Sequence, residues 1–128
     1  MIQRKIDKKI KLALRQYPVI CIVGPRQSGK TTLCKMLKPK YLYLNLEDIS
    51  VRDFAKSDPK GFLESYNNGV IIDEIQYAPE LLSYLQLYTD QRQQHGEYII
   101  TGSQHFLLME QVTQSLAGRV ALFNLLPF

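Results

Sequence analysis

The sequence predicts an α/β domain with a parallel sheet, and three observations carry that expectation. Continuous apolar runs rich in β-branched residues, at residues 19–23, 70–72 and 98–100, have the character of strands covered on both faces. Segments long enough for helices lie between them, so strand and helix alternate. Each run breaks at its C-terminal end into glycine, acidic or hydroxyl residues, at the edge where open α/β sheets bind ligands.

The elements follow in order. Within residues 1–17, Ile2, Ile6, Ile10 and Leu14 recur every four positions, which is helical periodicity. The first strand, residues 19–23, runs into Gly24-Pro25, and a helix over residues 30–37 is closed by Pro39. Tyr41, Tyr43 and Asn45 then alternate with Leu42, Leu44 and Leu46, a period of two that predicts a half-exposed strand near a sheet edge. Asp58-Pro59 reads as an N-cap followed by proline at the first helical position, opening a short helix that stops at Asn67-Asn68-Gly69. Pro79 opens a longer helix with Leu81, Leu82, Leu85 and Tyr88 on one face, ended by His95-Gly96. A helix over residues 105–116, closed by Gly118, precedes a fifth strand at residues 120–125. No repeat or linker interrupts this order, so residues 1–128 read as one domain. The chain halts at Leu126-Pro127-Phe128 directly after an apolar strand, which predicts that the native protein continues.

Composition narrows the function classes. No run of eighteen apolar residues exists, so no membrane-spanning helix and no membrane partner is predicted. The N-terminus lacks the apolar core and cleavage site of a signal peptide, and a cytoplasmic location follows as the expectation. Cys21 and Cys34 fit no metal-ligand spacing or disulfide framework and read as reduced core residues. The net charge of +4 is concentrated at the start, where Arg4, Lys5, Lys8, Lys9, Lys11 and Arg15 face only Asp7. Such a face could meet nucleic acid or anionic lipid. Without interleaved aromatic residues, the solvated face of an amphipathic helix is the preferred reading.

The chemistry begins at Gly24-Pro25-Arg26-Gln27-Ser28-Gly29-Lys30-Thr31, which matches G-x-x-x-x-G-K-[ST] in full, after a buried strand and before a helix. Glycines there let backbone N–H groups wrap a phosphate, and the helix N-terminus adds partial positive charge. Lys30 is placed to reach the β- and γ-phosphates, the Thr31 hydroxyl to ligate Mg²⁺, and Thr32 to approach the α-phosphate. Residues 70–72 then deliver Asp73 and Glu74 to the sheet edge. Asp73 suits Mg²⁺, through a water, and Glu74 suits orienting or deprotonating an attacking water. Two further candidates are less sharply defined. Within Thr101-Gly102-Ser103-Gln104, either Ser103 or Thr101 could contact the γ-phosphate or the water, although both types also favour turns. Arg119 could act as an arginine finger from a neighbouring copy, or simply answer a helix dipole. No N-K-x-D stretch is present to read guanine, which favours ATP.

These pieces, in this order, resemble the AAA-type P-loop ATPases, and among them a prokaryotic group whose phosphate loop reads G-P-R-Q-x-G-K-T-T-L. Residues 24–33 fit that loop, and IIDEIQ, ITGSQ and SLAGRV fit the later segments. The resemblance implies a three-layer sandwich on a five-stranded parallel sheet in the order 5-1-4-3-2, with residues 41–46 at its edge. It implies ATP and Mg²⁺ as ligands and residues 24–32 as the phosphate site. Asp73 and Glu74 become the Walker-B pair, Ser103 or Thr101 the first sensor, and Arg119 a finger acting in trans within a homo-oligomer. Proteins of this kind usually run on into a C-terminal domain of unknown function, for which this chain has no counterpart, and no second-sensor arginine is seen. An ATPase is the leading functional expectation, because Glu74 favours attack by water. An ATP-binding switch with negligible turnover is the alternative. A small-molecule kinase is disfavoured by Glu74 and by the lack of an arginine-rich lid.

Overall fold

The computed structural model describes residues 4–25 and 28–125; the side chains of Arg4 and Phe106 are outside that description. The elements run α1 (Arg4–Gln16), β1 (Val19–Val23), α2 (Lys30–Leu37), β2 (Leu42–Asn45), α3 (Ile49–Ser57), α4 (Pro59–Ser65), β3 (Val70–Asp73), α5 (Leu81–Arg92), β4 (Tyr98–Gly102), α6 (Phe106–Ser115) and β5 (Val120–Asn124), with a 3₁₀ turn at Ile75–Tyr77 between β3 and α5. All strand pairings are parallel and the sheet order is β2-β3-β4-β1-β5, the expected 5-1-4-3-2 order written from the other edge.

Alternation along each strand divides the core into two layers of packing. Val19, Cys21, Val23, Val70, Ile72, Tyr98 and Ile100 pack against α3, α4, α5 and α6 through residues such as Ala55, Phe62, Leu82, Leu85 and Val112. Ile20, Ile22, Ile71 and Ile99 point to the other side, onto Ile10 and Leu14 of α1 and Leu33 and Cys34 of α2. The central strands are buried along their whole length, whereas β2 is exposed or half-buried, as its alternating sequence predicts for an edge. Burial pushes both Cys21 and Cys34 thiols up to about 12, so both stay neutral and unreactive within the packing.

The helix Ile49–Ser57 is one the sequence reading does not anticipate. Its β-branched start, Ile49 and Val51, depresses helix propensity. The Asp48 side chain overrides that by accepting from the Ser50 N–H at 2.9 Å and the Val51 N–H at 3.5 Å, which caps the first turn. Packing completes it, with Phe54 set edge-to-face against Phe62 and Tyr66 at ring separations of 5.4 and 6.1 Å. Asp58 caps α4 by accepting from Gly61 N–H at 3.0 Å, with Pro59 in the first turn as expected. The helix α5 begins at Leu81 rather than at Pro79, and ends where Gln93 turns left-handed.

Candidate functional site

The site lies along the C-terminal edge of the sheet, where β1, β3 and β4 end beside one another. Gly24 leaves β1 with its N–H donating to Gly102 O at 3.1 Å, so the loop after β1 is stitched to the end of β4. A Cβ on Gly24 would fall 2.7 Å from Leu125 O and 2.8 Å from Ser28 Oγ, so only glycine fits this approach. Gly29 at φ 88 occupies the left-handed region and turns the chain directly into α2. Ser28 N–H closes the near side of the loop on Pro25 O at 3.3 Å. Arg26 and Gln27, expected at the phosphates, lie outside the described residues. Thr32 is exposed on the first turn of α2.

Lys30 and Thr31 open α2 side by side and face the end of β3. Thr31 Oγ1 donates to Asp73 Oδ2 at 2.8 Å, joining the loop to the first of the two acids across a gap of 42 residues. Tyr43, from the edge strand, donates its hydroxyl to the same Oδ2 at 2.5 Å. Thr101, from β4, donates to Asp73 Oδ1. Asp73 is 2% exposed, so this ring of three hydroxyls is what holds a carboxylate in a largely dry position. Burial, and then the hydrogen bond to Asp73, push the Tyr43 hydroxyl well above the usual tyrosine range, so it remains a donor. The ammonium of Lys35 sits 4.1 Å over the Tyr43 ring.

Glu74 is held differently. Its backbone is left-handed at φ 62 and ψ 58, a conformation that costs a non-glycine residue of order 1–3 kcal/mol. The kink is secured by its N–H, which donates to Thr101 Oγ1 at 3.0 Å. The bend turns the Glu74 side chain back toward the loop, where Oε2 lies 3.6 Å from Lys30 Nζ. A committed charge-assisted hydrogen bond would be about 2.7–2.9 Å, so this is a Coulombic contact rather than a closed pair. Gln76 Nε2 donates to the other oxygen, Oε1, at 2.9 Å.

The two sensor candidates separate in this network. The hydroxyl of Thr101 is committed between Asp73 and Glu74 and is fully buried. Ser103 is half-buried beyond the strand end, and its backbone N–H donates to Gln76 Oε1 at 3.3 Å. Arg119 is not brought to this edge. It precedes β5, and its carbonyl accepts from Val19 N–H at the start of β1. One strand length, about 16 Å for five residues, therefore separates it from the phosphate loop of the same chain. There its guanidinium makes a two-pronged contact with Asp90, at 2.9 and 2.8 Å. Tyr43 and Gln76 are the participants that sequence reasoning missed. For Tyr43 a signal existed, since it shares a face with Asn45 and an edge strand beside β3 pairs Asn45 with Asp73.

The residues present fit a triphosphate with a hard divalent cation. The loop after β1 holds one buried hydroxyl, Ser28 Oγ, without a hydrogen-bond partner among the described residues, inside a cradle too narrow for a side chain at position 24. Lys30, 5% exposed, is loosely paired and so available to an anion. A hydroxyl and a carboxylate oxygen 2.8 Å apart form the all-oxygen donor set that Mg²⁺ prefers.

A five-stranded parallel sheet in this order, with the loop and the acidic pair at one edge, defines a P-loop NTPase fold. Comparison with known proteins gives the family. The profile described as AAA domain matches residues 16–128, and the chain belongs to that family: it is an ATP-binding domain of the AAA type. Two uncharacterized proteins, from Mycobacterium bovis and Mycobacterium tuberculosis, are each 31% identical over 124 residues. Those matches cover 96% of this chain but 28% of theirs, so the chain spans little more than a quarter of the curated relatives it matches. Among solved structures, AMPPCP-bound DnaA from Aquifex aeolicus is similar with a TM-score of 0.63 at 16% identity, covering 96% of this chain and 46% of that one. The Walker-type ATPase of Pyrococcus abyssi gives 0.60 at 15% identity, covering 98% and 53%. A STAND ATPase with a tetratricopeptide repeat sensor from Pyrococcus horikoshii gives 0.59 at 21% identity, covering 95% and 22%. At these identities the likeness is one of fold. No helix among the described residues is long and apolar enough to cross a membrane.

Proposed function

We propose that this domain hydrolyses ATP to ADP and phosphate in a Mg²⁺-dependent reaction at the C-terminal edge of the sheet. The observation that carries the reading is the meeting of Thr31 with Asp73 at 2.8 Å beside Lys30 and Glu74, four residues from two distant segments. Residues 24–32 bind the triphosphate through backbone amides and the Lys30 ammonium. Thr31 and Asp73 would hold Mg²⁺, which when bound supplies positive charge against the phosphate oxygens. Glu74 accepts a proton from water as its oxygen attacks the γ-phosphorus. The bond from that phosphorus to the bridging oxygen breaks, and ADP leaves with the electron pair. Lys30 offsets the charge that accumulates on the leaving oxygens. Thr101 orients both acids, and Ser103 stands where a strand-end side chain approaches the γ-phosphate.

Arg119 has a role in this scheme only across copies, because its own chain holds it one strand length from the loop and against Asp90. A missing finger lowers turnover by about 10³–10⁵. The test is ATP cleavage per mole across protein concentration, with Mg²⁺ supplied and then chelated. Specific activity that rises with concentration and vanishes on chelation supports an assembling ATPase with Arg119 acting in trans. Tight ATP binding with flat, negligible turnover would replace hydrolysis by a nucleotide-held switch. No detectable ATP binding would end both readings.

A further inference from the structure

Resting on the reading of Glu74 as the base, we infer that Gln76 is a positioning residue that orients the Glu74 carboxylate and ties it to the loop leaving β4. One side-chain amide is used at both of its ends. Its Nε2 donates to Glu74 Oε1 at 2.9 Å while its Oε1 accepts from the Ser103 N–H at 3.3 Å. The 3₁₀ turn at Ile75–Tyr77 makes this reach possible. It follows the left-handed kink at Glu74 and holds position 76 where its amide reaches both the Glu74 carboxylate and the chain leaving β4. Ile75 between them is fully buried and anchors the turn in the core.

The consequence comes from how Glu74 shares its two oxygens. Oε2 faces Lys30 at 3.6 Å and Oε1 is held by Gln76. Lys30 is the group a triphosphate claims, so nucleotide binding removes the countercharge from Oε2. Gln76 is then the remaining neutral donor on the carboxylate among the described residues, and it sets the direction in which Glu74 presents its free oxygen to water. Because the same amide grips Ser103, a turn of the Glu74 carboxyl is passed to the loop after β4. Occupancy of the phosphate loop is thereby coupled to the position of residues 103–105.

The test uses Gln76→Met, which has similar length and cannot make either hydrogen bond, and Gln76→Glu, which removes the donor and sets a like charge against Glu74. Backbone and side-chain amide signals are followed by NMR while Mg²⁺ and a non-hydrolysable ATP analogue are added, and single-turnover ATP cleavage is measured separately. In the unaltered protein the Gly29 and Ser103 amides and the Gln76 side-chain amide shift together with one midpoint. In the Met variant Gly29 still responds, with affinity within about 3-fold, while the Ser103 response is lost. Cleavage falls by about 10²-fold, the cost of a misdirected base, and falls further in the Glu variant. Ser103 tracking the analogue normally in the Met variant, or cleavage there unchanged, overturns the role of Gln76 alone. Failure of Gly29 to respond in the unaltered protein overturns the nucleotide site and the inference together.

Discussion

The two edges of the sheet treat their polar groups in opposite ways. At the N-terminal edge the contacts close on themselves. Arg92 meets Glu97 at 2.6 Å, Arg119 meets Asp90 twice, Gly96 N–H donates to Tyr17 O at 2.9 Å, and Tyr41 donates to Gly96 O at 2.5 Å. At the C-terminal edge two groups of the same kinds are left short. Lys30 stands 3.6 Å from its acid, and Ser28 Oγ has no partner among the described residues. Buried polar groups that lack partners lower stability, and a fold keeps them where a ligand completes the set. The contrast separates a structural edge from the edge proposed to bind nucleotide, without reference to any relative.

That contrast can be broken in four places. The largest effect is expected at Glu74→Gln, which keeps shape and removes the base: ATP binding persists while single-turnover cleavage falls by about 10²–10⁴. Cleavage at the normal rate would take Glu74 out of the chemistry. Next, Lys30→Ala should weaken ATP binding by about 10²-fold, the weight of a charge-assisted hydrogen bond or two; isothermal titration at constant Mg²⁺ measures it, and an unchanged dissociation constant would sink the loop assignment. Third, Thr101→Val leaves Asp73 Oδ1 and the Glu74 N–H without their shared hydroxyl. We expect about 1–3 kcal/mol less stability in urea unfolding, and a Thr101 that is merely strand filler would show almost none. The smallest effect belongs to the other edge. Asp90 is exposed and Arg119 half-buried at the surface, and such surface pairs contribute little. Arg119→Ala should leave the thermal midpoint within the scatter of repeated scans and leave dilute ATP binding intact. A drop confined to concentrated protein turning over ATP would mark the trans role.

Strand order, the glycine loop between β1 and α2, the acidic end of β3 and the edge position of β2 were legible in the residues, because each is written in local pattern: apolar runs, period-two alternation, or glycines at fixed spacing. The helix Ile49–Ser57 was not, since its β-branched start argues against a helix and the decisive cap and aromatic packing are contacts with Asp48, Phe62 and Tyr66. The choice between Thr101 and Ser103 was also hidden. Both types suit a strand end, and only the pairing of β4 with its neighbours shows which hydroxyl is already committed to the two acids.

By itself, then, the chain of residues determined the layered α/β class, the order of the strands and the polar residues that end them, because backbone geometry and hydrophobic periodicity act over a few positions. Tertiary structure alone decided the rest: that Tyr43 reaches Asp73 from the edge strand, that Gln76 bridges Glu74 and Ser103, and that Arg119 is held by Asp90 at the far edge. Those contacts join residues 2 to 30 positions apart through the sheet register and a kinked backbone. Their distances depend on how whole elements pack, which no short window of sequence contains.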